Sequence, residues 1–573
     1  MATTAAPARS RLPGFVAFLV FVTGAINVSS GLSPAVRSRL RDLAPTVSST
    51  VTGFANAATV ATGIVLLMLA AGLRRRKRRA WRAAVALLFS SVVTHLLKGL
   101  DYEEAAVAFA ALVALVLTRK EFVAKGDPRT RWRAVWVGFS LYATSVVLGM
   151  LMLRFYASPI TGPHGFLREL RFVVLGIFGV HGPLRFMADP TAASDRVSDA
   201  LGAMGVLVFL SVVYLVLRPS EPVASLKPED EAALRGLLVK HGKQDSLGYF
   251  ALRRDKSAVF SPSGKAAIAY RVISGVLLCS GDPLGDCEAW PGAIDAMLAL
   301  TEEHGWTPAV IGCSERAATA YQRAGLNSLE FGDEAVVDVS EFTLEGRAMR
   351  GVRQAVAKVE RAGYVSTVTR VRDLSMDERR HLVEQARAWR STETERGFSM
   401  ALGRFGDEQD DECVVVTATQ DDQMRAFLHF VPWGTDGLSL DLMRRDRSAE
   451  NGLNEFLITS ALQAAPTLGV SRLSLNFAVF RAALERGERI GAGPVSRGFR
   501  RLLVFVSRWF QIDSLYRFNA KFRPIWEPRY ICFPSAADLP RISLAALEAE
   551  AFIVWPMSTL RRRLGLRPKV MPA

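Results

Sequence analysis

Residues 438–444, LSLDLMR, place an acidic and a basic side chain, Asp441 and Arg444, three apart in an otherwise apolar run. Strand alternation puts Leu438, Leu440 and Leu442 on one face and Ser439, Asp441 and Met443 on the other. A carboxylate there faces a cleft or needs a buried partner. A guanidinium can make two parallel bonds to a phosphate or ester oxygen, although a structural Asp–Arg pair is the competing reading. Asn476 interrupts the apolar strand 473–480, and a buried amide needs partners. Lys521, in AKFRPIWEPRY, carries an ammonium suited to phosphate or to a developing oxyanion. Glu527 and Arg529 flank Pro528 and either orient a site or make a structural turn.

Other chemistries are disfavoured by inventory. The last histidine is His429, and none lies between residues 438 and 530. A Ser-His-Asp triad would need His429 or His381, with no nucleophile motif near either; His429 reads as a satisfied core histidine. Cys279, Cys287, Cys313, Cys413 and Cys532 show no CxxC pair and no metal-like spacing with histidine. They are expected to be reduced, mostly buried thiols, and no metal site is expected.

The elements that must hold these residues form a pattern that occurs twice. In the first copy, 275–280 is a strand, 281–286 (GDPLGD) a turn, 289–304 a helix, 308–313 a strand and 315–324 a helix stopped by Gly325. In the second, 437–443 is a strand, 444–451 (RRDRSAEN) a loop, 452–465 a helix and 472–480 a strand. That order is the core of the acyltransferase fold typified by GCN5-related N-acetyltransferases. Neither loop supplies the usual acetyl-CoA pyrophosphate motif. Between the copies, 344–362 (LEGRAMRGVRQAVAKVERA) predicts a helix with Ala348, Val352, Ala355, Val356 and Val359 on one arc. Arg347, Arg350, Arg353, Lys358 and Arg361 lie opposite, as a stripe that tracks a phosphate backbone or as a solvated face.

The first third of the chain has another character. Residues 13–28, 51–73, 80–97, 105–117, 132–153 and 200–217 are apolar stretches, most of them near the roughly 20 residues that cross a bilayer. The loop 74–79 (RRRKRR) and the basic residues between 119 and 133 place two loops in the cytoplasm. Six spans would then put the N-terminus and everything after Arg218 on that side. Segment 162–185 carries His164, Arg168, Arg171, His181 and Arg185, and reads as interfacial or re-entrant. The net charge of +16 suits anionic lipid or nucleic acid. Apolar residues 552–560 before Arg561, Arg562 and Arg563 suit a membrane interface or a disordered basic tail.

Residues 396–405 (RGFSMALGRF), 438–444, 451–456 (NGLNEF), 473–481 (LSLNFAVFR) and 507–530 (SRWFQIDSLYRFNAKFRPIWEPRY) together resemble the bacterial aminoacyl-phosphatidylglycerol synthases. These are also called phosphatidylglycerol lysyltransferases or multiple peptide resistance factors. The resemblance covers about 246–533 and is closest to the synthase part of enzymes fused to a lysyl-tRNA synthetase; no synthetase is expected after the second copy. It implies a multi-span α-helical membrane domain followed by a cytosolic α/β domain of two tandem GCN5-related acyltransferase-like folds.

The expected divisions are a membrane domain at 1–218, a first subdomain at 219–343, a linking basic helix at 344–365, a second, catalytic subdomain at 366–535 and a basic tail at 536–573. The implied reaction moves an aminoacyl group, lysyl being favoured, from aminoacyl-tRNA to the glycerol headgroup of phosphatidylglycerol at the cytoplasmic leaflet of the bacterial inner membrane. No cofactor or metal is needed, because ester exchange is near thermoneutral and positioning alone is worth about 7–11 kcal/mol of barrier. Alanyl transfer, a diacylglycerol acceptor, a flippase with a regulatory soluble part and a CoA-dependent acyltransferase are the alternatives.

By resemblance, Asp441 binds the incoming α-ammonium or handles a proton, Arg444 holds phosphate or ester oxygen, and Lys521 completes the catalytic set. Arg396, Arg404, Asn476, Glu527 and Arg529 are the expected substrate-binding residues. The acidic run 407–412 (DEQDDE) would attract a lysyl side chain or lie in solvent.

Overall fold

The computed structural model describes residues 12–32, 49–74, 76–98, 102–122, 124, 129–156, 160–161, 165–178, 185–186, 193–217, 222, 224–390, 397–479 and 512–553. The chain divides into two compact units, residues 1–220 and nearly all of 221–573.

The first unit is helical: α1 (Leu12–Leu32), α2 (Ser49–Arg74), α3 (Arg78–Lys98), α4 (Tyr102–Leu117), α5 (Arg129–Tyr156), α6 (Phe166–Ile177) and α7 (Ala193–Leu217). Among the described residues two segments, Leu12–Ser29 and Val135–Arg154, are long and apolar enough to cross a membrane. Thr62–Arg74, Ala105–Leu117 and Ala200–Val213 are shorter apolar stretches. Helices α1 and α2 cross at glycines: a Cβ on Gly24 would lie 2.9 Å from the Gly63 carbonyl oxygen, and one on Gly63 would lie 2.7 Å from that of Gly24. Small residues at such crossings let backbones approach where no hydrophobic effect drives association. Helix α6 has 12 residues, about 18 Å, too short for a bilayer core. The strands β1 (Ile160–Thr161) and β2 (Arg185–Phe186), before and after this helix in the chain, pair antiparallel.

The second unit is built on one continuous sheet. After α8 (Pro228–His241) come β3 (Ser257–Phe260), β4 (Ala266–Ile273), β5 (Val276–Ser280), β6 (Leu284–Gly285), α9 (Trp290–His304), β7 (Thr307–Cys313), α10 (Glu315–Arg323) and β8 (Asn327–Asp338). There follow α11 (Arg350–Arg361), β9 (Val365–Arg370), α12 (Met376–Ala388), β10 (Val414–Gln420), β11 (Gln423–Trp433), β12 (Gly437–Arg445), α13 (Leu453–Ala464) and β13 (Arg472–Val479). The last elements are α14 (Ile512–Ala520), β14 (Ile525–Phe533) and α15 (Leu539–Ala549).

The strand order is β3-β4-β5-β7-β14-β8-β13-β12-β11-β10-β9, with β6 on β4. Each half contains one parallel pair, β5 with β7 and β12 with β13. The halves also exchange strands: β14, from the end of the chain, lies between β7 and β8, and β8 pairs with β13. Helix α15 follows β14 into the first half, burying Ile542 and Ala545 against Leu278 and Ile311. Residues 539–549 are therefore core helix rather than tail; 554–573 lie outside the described residues.

Helices α11 and α13 cover one face of the second half, where Val352, Val356 and Val359 meet Leu457, Leu462 and Phe430. Helix α11 begins at Arg350, later than the sequence pattern predicts, because Gly346 adopts a left-handed φ of 82° and turns the chain first. Strand alternation also fails at one point. A bulge opposite His429 and Phe430 leaves Asp441 out of register, so Leu438, Leu440 and Met443 pack on the α11/α13 side. Leu442 joins Phe427 and Val431 on the other face.

Candidate active site

The parallel pair β12/β13 is in register only from Gly437 and Arg472 to Ser439 and Ser474; beyond these the strands part. Asn476 stands where they part. Its φ of 69° is left-handed, a conformation asparagine tolerates better than most residues. Its Nδ2 donates to the Leu440 carbonyl of β12 at 2.6 Å, and its backbone N–H donates to the Ser474 hydroxyl at 3.2 Å. With Nδ2 fixed on a carbonyl, Oδ1 points away from β12. Among the described residues that oxygen is buried and has no hydrogen-bond partner. Helix α14 closes one side through Asn519, whose Nδ2 donates to the Leu475 carbonyl at 3.2 Å.

Asp441 does not face this opening. Its carboxylate lies on the face away from Leu438 and Leu440, as alternation predicts, where Oδ2 lies 2.7 Å from His429 Nδ1 and Oδ1 accepts the Leu402 N–H at 2.7 Å. Its side chain is 2% exposed. Asp441 therefore anchors the loop 397–406, and the expected contact with a substrate ammonium is replaced by contacts within the protein. The loop is held at its other end by Glu550, whose carboxylate accepts Phe398 N–H at 2.7 Å and Ser399 N–H at 3.0 Å. His429 is a satisfied buried histidine, as expected. Its partnership was readable, since residues 429 and 441 are equidistant from a hairpin turn near 435.

Arg529 is likewise withdrawn from substrate. It is 3% exposed. Its Nε donates to Glu334 at 3.0 Å, Nη1 to Asp245 at 2.7 Å and to the Gly312 carbonyl at 3.2 Å, and Nη2 to Ser246 at 2.8 Å and again to Glu334. All five donors of the guanidinium are used, so its expected substrate role becomes one of joining the halves. Burial opposes its charge, but the carboxylates of Glu334, Asp245 and Asp282 more than offset this and lock the proton on. Glu334 also accepts the Ser474 hydroxyl, which connects this buried group to the opening at Asn476. One guanidinium thus faces two carboxylates, Glu334 and Asp245.

Arg404 is also engaged by carboxylates of the protein. Nε and Nη2 hold both oxygens of Asp410 at 2.8 and 2.7 Å, and Nη1 reaches Glu231 at 2.6 Å. Burial would raise Asp410, but hydrogen bonds from Arg404, Tyr249 and Arg235 hold it below the usual carboxylate range. Most of the acidic run 407–412 is paired: Asp407 with Arg254, Asp411 with Arg379, and Glu412 with Arg370 and Arg372. These acids knit the surface and are not an open trap for a cation.

Lys521, Glu527 and Arg444 remain near the surface. Lys521, on the turn after α14, is 47% exposed and lies 2.7 Å from Glu455 in the first turn of α13. Glu527 lies opposite Glu334 in the β14/β8 ladder, and partial burial and then the Glu334 carboxylate push its pKa up. Arg444 is half-buried near the end of β12, its Nη1 donating to the Met443 carbonyl at 3.0 Å. Arg396 lies outside the described residues. The sequence reading missed Asp245, Glu334 and Ser474, which come from three separate elements.

The first half ends its parallel pair differently. Asp282, after β5, accepts Ser314 N–H at 2.7 Å and Ser314 Oγ–H at 2.6 Å, and its own N–H donates to Asp245 at 2.8 Å. Burial and then the Asp245 carboxylate push the Asp282 pKa up to about 7. Lys256 Nζ, fully buried, donates to Ser280 Oγ at 2.7 Å and to the Phe250 carbonyl at 3.1 Å. Burial and then the Arg253 charge bring its pKa down to about 7.

A family model for the C-terminal part of phosphatidylglycerol lysyltransferase matches residues 235–533, both halves of the sheet. The chain belongs to the phosphatidylglycerol lysyltransferase family. A second model, the transmembrane region of lysyl-tRNA synthetase, matches residues 8–218, and the first unit is a membrane domain. The chain is 41% identical over 558 residues to the lysylphosphatidylglycerol biosynthesis bifunctional protein LysX of Mycolicibacterium vanbaalenii, covering 96% of this chain and 50% of that one. To LysX of Mycobacterium tuberculosis it is 41% identical over 572 residues, covering 98% and 48%. The chain thus spans about half the length of these curated relatives. A solved C-terminal domain of a putative lysylphosphatidylglycerol synthetase from Agrobacterium fabrum is 25% identical, with a TM-score of 0.47, and covers 56% of this chain and 96% of that one.

Within this family's second half, the opening between β12 and β13 gathers Asn476 and the α14 turn. The two tandem acyltransferase-like folds expected from the sequence are present, sharing one sheet.

Proposed function

We propose that this chain transfers an aminoacyl group, lysyl, from aminoacyl-tRNA to the glycerol headgroup of phosphatidylglycerol. The observation that carries this reading is the family match across both halves of the sheet. In the reaction a glycerol hydroxyl attacks the ester carbonyl, a new C–O bond forms, and the C–O bond to the tRNA ribose breaks. The hydroxyl proton passes to the leaving ribose oxygen. Nothing is oxidised, so the enzyme's task is positioning.

The opening beyond Ser439 and Ser474 is the site of transfer. Lys521 and Arg444 hold phosphate or the ester oxygen, and Asp441 acts through the loop that it anchors. The exposed face of α11, with Arg350, Arg353 and Arg361, and Arg347 in the turn before it, takes the tRNA backbone. Lys358 on the same helix is paired with Glu450 at 2.6 Å. The membrane unit is multi-pass in the bacterial inner membrane, with its basic loops and the soluble unit in the cytoplasm.

The test is to incubate membranes containing the protein with labelled lysyl-tRNA or alanyl-tRNA and resolve the lipids. Label from lysyl-tRNA is expected in a phosphatidylglycerol derivative, and ribonuclease pretreatment should abolish it. Label that never enters lipid, or enters equally after ribonuclease, overturns the reading. Vesicles containing diacylglycerol in place of phosphatidylglycerol test the acceptor.

A further inference from the structure

The orphaned oxygen of Asn476 calls for a hydrogen-bond donor. A buried acceptor left unpaired costs roughly 1–3 kcal/mol, and the other polar groups of Asn476 and Ser474 are bonded. Nδ2 is fixed on Leu440, the backbone N–H on Ser474, and the Ser474 hydroxyl on Glu334. The missing donor must therefore come from outside this set. The two substrates offer hydroxyls and ammonium groups. An ammonium is the better match, because the Glu334 carboxylate, bonded to the Ser474 hydroxyl that also holds the Asn476 N–H, adds negative charge nearby. Asp441, the acid expected to receive that ammonium, is fully engaged on the other face of β12.

We infer that Asn476 Oδ1 is the acceptor for an ammonium group of the aminoacyl substrate, held where β12 and β13 part. This assignment rests on the transfer reaction proposed above. Asn476 binds the acyl donor, while Ser474 and Glu334 are positioning residues that fix its backbone and set the local charge.

Three donors separate the possibilities: lysyl-tRNA, its α-hydroxy analogue, and norleucyl-tRNA, which lacks the ε-ammonium. The full-length chain in phosphatidylglycerol membranes is assayed as wild type and as Asn476→Gly, which keeps the left-handed backbone without strain. The variant should lose about tenfold or more in kcat/KM for lysyl-tRNA, as expected for a hydrogen bond to a charged group. It should also lose its discrimination against one analogue: the α-hydroxy donor if the α-ammonium is bound, norleucyl-tRNA if the ε-ammonium is. Asn476→Asp, which keeps an acceptor, should restore that discrimination. An equal fractional loss on all three donors marks a structural role and overturns the assignment. Absence of transfer by the wild type from every donor refutes the transfer reaction instead.

Discussion

At the ends of β5 and β7 the first half fills the space between its parallel strands with its own groups: Asp282 clasps Ser314, and Lys256 caps Ser280. Beyond Ser439 and Ser474 of the second half, among the described residues, the Asn476 amide reaches back to Leu440 and one oxygen of that amide has no partner. Both pairs are parallel strands of the same sheet, so the difference lies in what occupies their ends. On the reading proposed above, the first half acts as a buttress and the second half's open end takes the ligand; the buried Arg529 at the seam links the two through Glu334 and Ser474.

This contrast can be broken most forcefully at the seam. Arg529→Met strands two carboxylates in the interior, and loss of one partner from such a group typically costs about 3–5 kcal/mol. Denaturant titration of the detergent-solubilised chain should show that loss, together with loss of transfer, because both halves depend on β14. A variant of wild-type stability would dismiss the seam as the joining element.

Lys256→Met sharpens the claim about the closed end through its pH dependence, an effect on the order of a few kcal/mol. The folded-state pKa of about 7 lies below the unfolded value near 10.4, so the unfolded chain binds the proton more tightly. Wild-type stability from this group rises between about pH 7 and pH 10, and the cost of burying the charge is full below about pH 7. The advantage of Lys256→Met over wild type, read from unfolding midpoints, should be large near pH 6 and shrink towards pH 10. A difference independent of pH contradicts a buried, depressed lysine.

Ser314 both receives Asp282 and caps α10. Ser314→Ala should cost about 1–2 kcal/mol, leaving transfer per folded molecule unchanged. A drop in kcat/KM without loss of stability would show that the first half does more than support.

The smallest stability effect belongs to Lys521. Its exposed pair with Glu455 contributes no more than about 1 kcal/mol, so Lys521→Ala should fold normally and lose transfer if its ammonium holds substrate. Full transfer at normal protein level removes Lys521 from the site.

Much of the second unit was legible. The strand–helix–strand order at 275–324 and 437–480 was legible nearly to the residue, since it depends on local pattern, whereas β3, β4, β8 to β11 and β14 were not placed. The exchange of β8 and β14 between halves was not legible, because strand pairing across some 200 residues leaves no local trace. Asp441 keeps the face that alternation predicts; the bulge reverses Leu442 and Met443, and the partners His429 and Leu402 were not read because they come from another strand and a distant loop. Arg529 and Arg404 were misassigned because their carboxylate partners, Glu334, Asp245 and Glu231, lie far away in sequence. Asn476 stood out correctly as an amide in an apolar strand, but its left-handed backbone and orphaned oxygen emerge only in three dimensions.

The most direct measurement takes one variant from each end, Ser314→Ala and Asn476→Gly, and records unfolding free energy and kcat/KM for lysyl transfer on the same preparations. A closed first half and an open second half predict that Ser314→Ala loses stability with kcat/KM retained, while Asn476→Gly loses about tenfold or more in kcat/KM with a smaller stability change. Parallel losses in both quantities for both variants, or the reverse assignment, would contradict it.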